Sequence, residues 1–363
     1  MGVRLLPEWV EQDAILIAWP RPQSDWQPWL NQVEKTYLQM AQAICRFQTL
    51  IILCYDTILC EHVTQLLKNK LIPSERVVLL VQYYNDTWTR DYAPLSAICD
   101  DKPCLLNFTF NGWGGKYPAD LDNAVNDQLQ RKNVFNDTQF TSSTLELEGG
   151  AIETDGLGTL LTTRQCQLES KRNPGMEHDE IIAMLKSCLG HDRILFIQHG
   201  KLIGDDTDGH IDSLARFCSP DTIAYVSCHD SSDPHYVSLQ KMQQELQDLY
   251  QPDGKPYKLV ELPLPEAIMS DDGDRLPATY ANFLIINQAI LLPVYNQSDR
   301  DSECQQRLSE VFPNREIITI NALPLIQQYG SVHCATMQLA MGTVTPASTV
   351  RNEYKLHHHK LIY

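Results

Sequence analysis

Apolar, β-branched runs recur from one end of the chain to the other, each of strand length and each bounded by Gly, Pro, Asp or Asn. They read AILIAWP (14–20), TLIILCY (49–55), RVVLLVQYY (76–84), CLLNFTF (104–110), TLLTT (159–163), RILFIQ (193–198), TIAYVSC (222–228), NFLIINQAILLPVY (282–295) and EIITINA (316–322). Between several of them the period changes from two to that of a helix. In WLNQVEKTYLQMAQAICRF, Trp29, Val33, Tyr37, Met40, Ala41 and Ile44 fall on one face. Further helical segments are EHVTQLLKN, EHDEIIAMLKSCLG, HYVSLQKMQQELQDLY and DSECQQRLSEVF. Strands alternating with helices predict an α/β or α+β architecture. With no linker-like or low-complexity tract, residues 1–342 read as one domain and 343–363 as an appended tail. The His357, His358 and His359 run in that tail reads as solvated rather than metal-binding.

Composition narrows the partners. Of 363 residues, 29 are Lys or Arg and 46 Asp or Glu, giving a formal net charge of −17. That balance repels nucleic acid and anionic membrane and draws in small cations, although solubility alone would also explain it. The first twenty residues are broken by Glu8, Glu11 and Asp13, unlike a secretory leader. The longest strongly apolar stretch, Phe283–Tyr295, is too short to span a bilayer. Eleven cysteines without a CxxC pair argue against a disulfide framework or a structural zinc site, and for a reducing, cytoplasmic compartment.

Five segments gather polar groups beyond what folding needs. NDTWTRDYAPL presents Trp88, Arg90 and Asp91 from a loop after a strand, where an ordinary surface Asp–Arg pair is the plainer reading. FNGWGGKYP holds Trp113 among Gly112, Gly114 and Gly115, which permit positive φ. LELEGGAIETDG suggests a strand running into a Gly-Gly break, with Glu148 facing a cavity or else exposed on an edge. In GDDTDGHIDSLARF, His210 and Asp212 read as alternate positions of a strand, pointing to one face. Finally, YGSVHCATMQL carries Cys334. Most of the eleven thiols read as core residues, and a reactive one needs a base or a positive neighbour to favour thiolate.

Two carboxylates with a cysteine and a histidine suit a planar cation better than a peptide, whose oxyanion would face negative charge. A guanidinium stays protonated, and its rigid fork of N–H donors matches paired carboxylates. Its resonance-deactivated carbon needs a strong nucleophile held over its plane and an acid to protonate the departing nitrogen. No metal or organic cofactor enters such a scheme.

The motifs DTWTRDYAP, NGWGGKY, EGGAIETDGLGTLLTT, KRNPGM, DTDGHID, RLPATYANFLI and VHCATMQ occur in this order. With them the chain resembles the agmatine deiminases of the guanidino-group-modifying superfamily, a branch related to bacterial peptidylarginine deiminases. The resemblance runs from LPEWVEQDAILIAWP to about Gly342. It implies a five-bladed, pseudo-symmetric propeller of ββαβ units around a central channel. It also implies Cys334 as nucleophile, His210 as general acid/base, and Asp91 and Asp212 as the grip on the guanidinium. Glu148, Trp88 and Trp113 would line the same site, and Asp205, Asp206 or another channel acid would suit a distal ammonium. A homodimer is compatible with this reading. Where better-known members carry Gly-Gly-Asn before the nucleophile, this chain has Tyr329, Gly330, Ser331 and Val332, a change that bears on the substrate's tail. Free or peptidyl arginine is the alternative substrate, and a non-catalytic binding protein on the same scaffold the alternative class.

Overall fold

Most of the β-branched runs form strands covered on both faces. In the computed structural model, which describes residues 2–350, Gln12–Ala18 (β2), Thr49–Cys54 (β3) and Val77–Val81 (β4) lie parallel and in register, Ile15 opposite Leu50 and Ile52 opposite Leu79. Every residue of β3 after Thr49 is buried, and runs that are apolar at consecutive positions are what such strands require. The Leu30–Ile44 helix crosses over between β2 and β3, burying Val33, Tyr37, Met40, Ala41 and Ile44 along one face.

The same connectivity recurs in five sheets. Val3–Leu5 (β1), Leu95–Cys99 (β5), Lys102–Thr109 (β6) and Gln139–Glu146 (β7) form one, in the order β1-β5-β6-β7. Ile152–Thr154 (β8), Thr159–Thr163 (β9) and Arg193–Ile197 (β10) form the next. Ala215–Ser219 (β11), Thr222–Ser227 (β12) and Lys258–Pro263 (β13) form another, and Leu284–Ile286 (β14), Ala289–Val294 (β15) and Glu316–Asn321 (β16) a fourth. In the fifth, the late strand Met337–Ala340 (β17) pairs antiparallel with β2, so the two ends of the fold complete one sheet. Each sheet thus holds an antiparallel pair followed by a parallel strand: β5-β6 then β7, β8-β9 then β10, β11-β12 then β13, β14-β15 then β16, β17-β2 then β3. Helices between the parallel strands supply the crossovers, among them His178–Leu189, Tyr236–Gln247 and Ser298–Val311.

Several expectations change. The run 282–295 is two strands, β14 and β15, turning at Asn287–Gln288 where Gln288 adopts φ 63°. Cys99 and Cys104 form a disulfide across the β5–β6 hairpin, because its two-residue turn at Asp100–Asp101 brings their Cα atoms to 5.7 Å; the other nine cysteines are free thiols. Residues 343–350 do not stand apart as a tail. Thr343 is buried, Val344 bridges to Phe135 and the Thr345 amide donates to Val134, so the chain remains packed through Val350. The histidine run at 357–359 lies outside the described residues. Among the described residues no helix is long and apolar enough to cross a membrane.

Candidate active site

Five connections lead from the last parallel strand of one sheet into the antiparallel pair of the next, and each delivers polar side chains to one place. The first, between β4 and β5, contains a helical turn, Thr89–Tyr92. Arg90 is buried within it. Its amide donates to the Cys334 carbonyl at 3.2 Å and its Nε to the His333 carbonyl at 3.3 Å, tying this connection to the last one. Asp91 then projects inward. Its Oδ1 accepts from the Gly150 amide at 3.0 Å and its Oδ2 from Trp113 Nε1 at 2.9 Å. Burial raises the Asp91 carboxyl's pKa, His210 opposes the rise, and Asp212 and Glu148 add to it.

Trp113 reaches Asp91 from a strained backbone, φ 57° and ψ 49°, in a conformation that few bulky residues adopt. The hydrogen bond to Asp91 and edge-on packing against Phe110, with ring centroids 5.0 Å apart, hold it there. Gly112 and Gly114 flank it at positive φ, as the sequence implied, and a Cβ on Gly112 would fall 2.2 Å from the Tyr117 carbonyl.

The Gly-Gly break between β7 and β8 places Gly150 at the centre of the cluster. A Cβ built on it would stand 2.7 Å from His210 Nδ1, 2.8 Å from Asp91 Oδ1 and 3.1 Å from Asp212 Oδ2. Three groups from two other connections therefore converge on one glycine, which only a hydrogen side chain allows.

His210 and Asp212 come from the connection between β10 and β11. The alternating strand expected there is instead a 3-10 turn, Ile211–Ser213, with His210 at its N-cap; the strand begins only at Ala215. Convergence comes from the turn, not from the period of a strand. His210 is 1% exposed, and neither ring nitrogen has a hydrogen-bond partner among the described residues, although Nδ1 lies 3.6 Å from Asp91 Oδ1. Burial disfavours its charge, but Asp91, Cys166 and Glu148 outweigh burial and bring its pKa up to about 10. Burial also pushes the Cys166 thiol up, so at neutral pH the lift on His210 comes from the two carboxylates. Asp212 is held down at about 2: burial opposes its charge, and His333, His210 and Arg216 prevail.

Cys334 arrives from the connection between β16 and β17. Its sulfur lies 3.6 Å from Asp212 Oδ2 and accepts from Asn282 Nδ2 at 3.2 Å. Burial, then Asp212 and Asp91, push its pKa well above the usual thiol range, against a smaller pull from Ser331 and Asn282. The adjacent histidine does not serve the sulfur: His333 Nδ1 lies 2.8 Å from Asp212 and Nε2 2.7 Å from Glu8. Glu8 in turn accepts from Arg216 Nη2 at 3.0 Å and the Ile285 amide at 2.6 Å.

Asn282, His333 as a brace, and Glu8 were not singled out in the sequence. Asn282 sits in RLPATYANFLI on the connection between β13 and β14, where nothing in a single asparagine announces a sulfur partner. Arg172, in KRNPGM, was also missed. Its Nε donates to both Glu148 oxygens, at 2.8 and 3.0 Å, while Nη1 and Nη2 hold Asp208 and the Thr207 carbonyl. Glu148 is therefore buried beside His210 and engaged by a guanidinium, neither facing open space nor lying on an edge. Glu148, Cys166 and His210 bring ligand atoms within 4.8 Å of one another, a spacing that suits a metal ion, but Arg172 already occupies both Glu148 oxygens.

A cleft enclosing about 580 Å³, part of it open to solvent, leads down to Asp91 and Cys334. Trp88, Trp113 and Tyr117 form aromatic walls; Asp205 and Asp206 lie along it, as do Asp25 and Asp86. No Lys or Arg lines it among the described residues.

The sequence profile of the Porphyromonas-type peptidyl-arginine deiminase family matches residues 4–340. The chain belongs to that family. The structure of a Porphyromonas gingivalis protein described as an arginine deiminase by assignment is similar, at 44% identity and TM-score 0.88, covering 94% of this chain and 100% of that one. A Cys-to-Ser variant of C. jejuni agmatine deiminase with substrate bound shares 34% identity at TM-score 0.86, over 94% and 97% of the two chains. An agmatine deiminase from Stutzerimonas stutzeri is 28% identical over 93% of this chain and 95% of its own.

Proposed function

We propose that the protein is an agmatine deiminase, hydrolysing agmatine to N-carbamoylputrescine and ammonia. The observation that carries this reading is the buried Cys334 sulfur beside Asp212, with Asp91 and His210 converging on the same glycine, at the end of a cleft without a basic residue. Similarity to agmatine deiminases over nearly the whole chain supports it. The five sheets of repeated connectivity, joined by the pairing of β17 with β2, support a five-bladed propeller in a single domain with the site on its axis.

In this reading Asp91 and Asp212 receive the N–H groups of the guanidinium and hold its plane. The cation offsets the two carboxylates that keep the thiol protonated, so as substrate binds the thiol gives its proton up to solvent and thiolate forms. The sulfur attacks the central carbon and a C–S bond forms. His210, kept protonated by its carboxylate neighbours, donates a proton to the departing nitrogen; the C–N bond breaks and ammonia leaves. The amidino-thioether on Cys334 is then attacked by water, one of whose protons returns to His210; as the C–S bond breaks, the other passes from the new hydroxyl to the departing sulfur, leaving the urea carbonyl and the free thiol.

Free or peptidyl arginine is the second reading, favoured by the family's description and by the P. gingivalis relative. Arginine would bring a carboxylate, alone or in a peptide chain, into a cleft lined by acids. Ammonia release from agmatine, arginine and a peptide with C-terminal arginine separates the readings: agmatine is the substrate turned over fastest. Absence of agmatine turnover defeats the first.

A further inference from the structure

The acids along the cleft are not equivalent. Asp205 is committed to the turn before His210, with Oδ1 accepting from the Thr207 amide and hydroxyl and Oδ2 from the Gly209 amide. Asp206 accepts from the Tyr117 hydroxyl, and Lys116 lies 3.7 Å from its other oxygen and donates to its carbonyl. Both acids favoured by the sequence thus hold the wall together, and Asp206 is partly neutralised.

Asp86 differs. It lies two residues before Trp88 and five before Asp91, on the connection that carries the guanidinium grip. Its amide donates to Asp122, and its Oδ1 accepts from the Thr87 amide and hydroxyl, which fixes the carboxylate's orientation. Its Oδ2 has no donor among the described residues, and the residue lines the cleft shared with Cys334. Arg21, whose charge reaches Asp86, is drawn off. Its guanidinium stacks 4.3 Å over the Tyr55 ring and Nη2 donates to the Asn85 carbonyl, with no Arg21–Asp86 ion pair. A partly buried carboxylate with one oxygen fixed and one free, beside the Trp88 and Trp113 rings, is an alkylammonium acceptor.

Resting on the agmatine reading above, we propose that Asp86 is the specificity-determining residue that takes the substrate's distal ammonium, in place of Asp205 or Asp206. It selects substrates by the positive charge at the end of the four-carbon tail, while the chemistry stays at Cys334.

The test varies the acid and the tail charge together. Agmatine and n-butylguanidine share a guanidinium and a four-carbon chain and differ only in the terminal amine. Asp86→Asn lowers kcat/KM for agmatine by about tenfold or more, through KM, and leaves n-butylguanidine within about threefold. Calorimetric binding of both compounds to Cys334→Ser and to Cys334→Ser/Asp86→Asn repeats the comparison without turnover, so a failure of the agmatine reading (no ammonia from the wild type) remains distinct from a failure of this one. Equal losses for the two compounds, unchanged discrimination, or discrimination carried by Asp206→Asn instead would overturn the proposal.

Discussion

His333 stands between Asp212 and Glu8, 2.8 Å from the first and 2.7 Å from the second, so the imidazole adjacent to Cys334 in sequence braces a carboxylate rather than serving the sulfur. Glu8 lies near the start of the chain and Asp212 past its middle. A line of buried polar contacts, Arg216–Glu8–His333–Asp212, therefore fixes the Asp212 carboxylate from behind.

Stability should depend on that line. Glu8→Gln keeps the side chain's shape and removes the charge facing Arg216, His333 and Arg90. Breaking a buried pair costs about 3–5 kcal/mol, which urea unfolding at pH 7 would read. Interaction with these groups holds Glu8 below the usual carboxylate range, and Asp212 is lowered to about 2. A carboxylate depressed in the folded state contributes stability above its unfolded pKa of roughly 4 and loses it as pH falls toward the folded value. The gap between wild type and Glu8→Gln should therefore narrow steadily from about pH 4 down to pH 2 without yet closing there, because Glu8 is held lower than Asp212. A gap of constant size over that interval would mean that the charge on Glu8 does not matter.

Selective labelling tests the sulfur. Burial and two carboxylates keep the resting thiol protonated, and a reagent that carries a cation into the site relieves two of those three causes. At pH 7, 2-chloroacetamidine should alkylate Cys334 at least about a hundredfold faster than iodoacetamide does, once each is corrected for its rate with a free thiol. Peptide mass mapping would locate the adduct. Cys334→Ser removes both the adduct and ammonia release with an unchanged unfolding curve. Comparable corrected rates for the two reagents would show that the substrate's charge plays no part in forming thiolate.

The strands were legible because both faces of most are covered, which writes consecutive apolar residues into β3, β4 and β12. Of the strands outside the quoted runs, β1, β8 and β17 are three or four residues long, too short to show a period, while β5, β7, β11 and β13 mix polar residues into their apolar ones. His210 and Asp212 were identifiable by residue type and misplaced in structure, since a three-residue turn and a strand both alternate Ile211 with polar neighbours. Asn282 and Glu8 were silent because one polar residue in a connection declares its partner only when five connections meet. Cys334, Asp91, His210 and Asp212 stood out because motifs surrounded them, and the fold does gather them.

Asn282 offers a smaller lesion. Its Nδ2 donates to Cys334 Sγ at 3.2 Å, and its Oδ1 accepts from the amides of His333 and Cys334 at 3.0 and 3.3 Å. A hydrogen bond to a charged group contributes roughly 1.5–3 kcal/mol, so Asn282→Ala should slow turnover about ten- to a hundredfold. The pH at which Cys334 reaches half its maximal alkylation rate should rise in parallel. A lower kcat with an unmoved alkylation profile would assign Asn282 to holding the backbone alone.

Gly150→Ala probes convergence itself. The added methyl group would lie under 3 Å from His210 Nδ1 and Asp91 Oδ1 and 3.1 Å from Asp212 Oδ2, so the three groups must move apart. Gly150 is not in the left-handed region, so alanine meets no backbone penalty and the effect is confined to the crowded side chains. Misplacing reacting groups by about 1 Å costs on the order of a hundredfold in rate. The loss should appear in kcat, with the unfolding midpoint lowered by no more than an overpacked buried site costs, about 1–3 kcal/mol. A variant that retains wild-type kcat would show that Asp91, His210 and Asp212 need not meet around this glycine for the reaction to proceed.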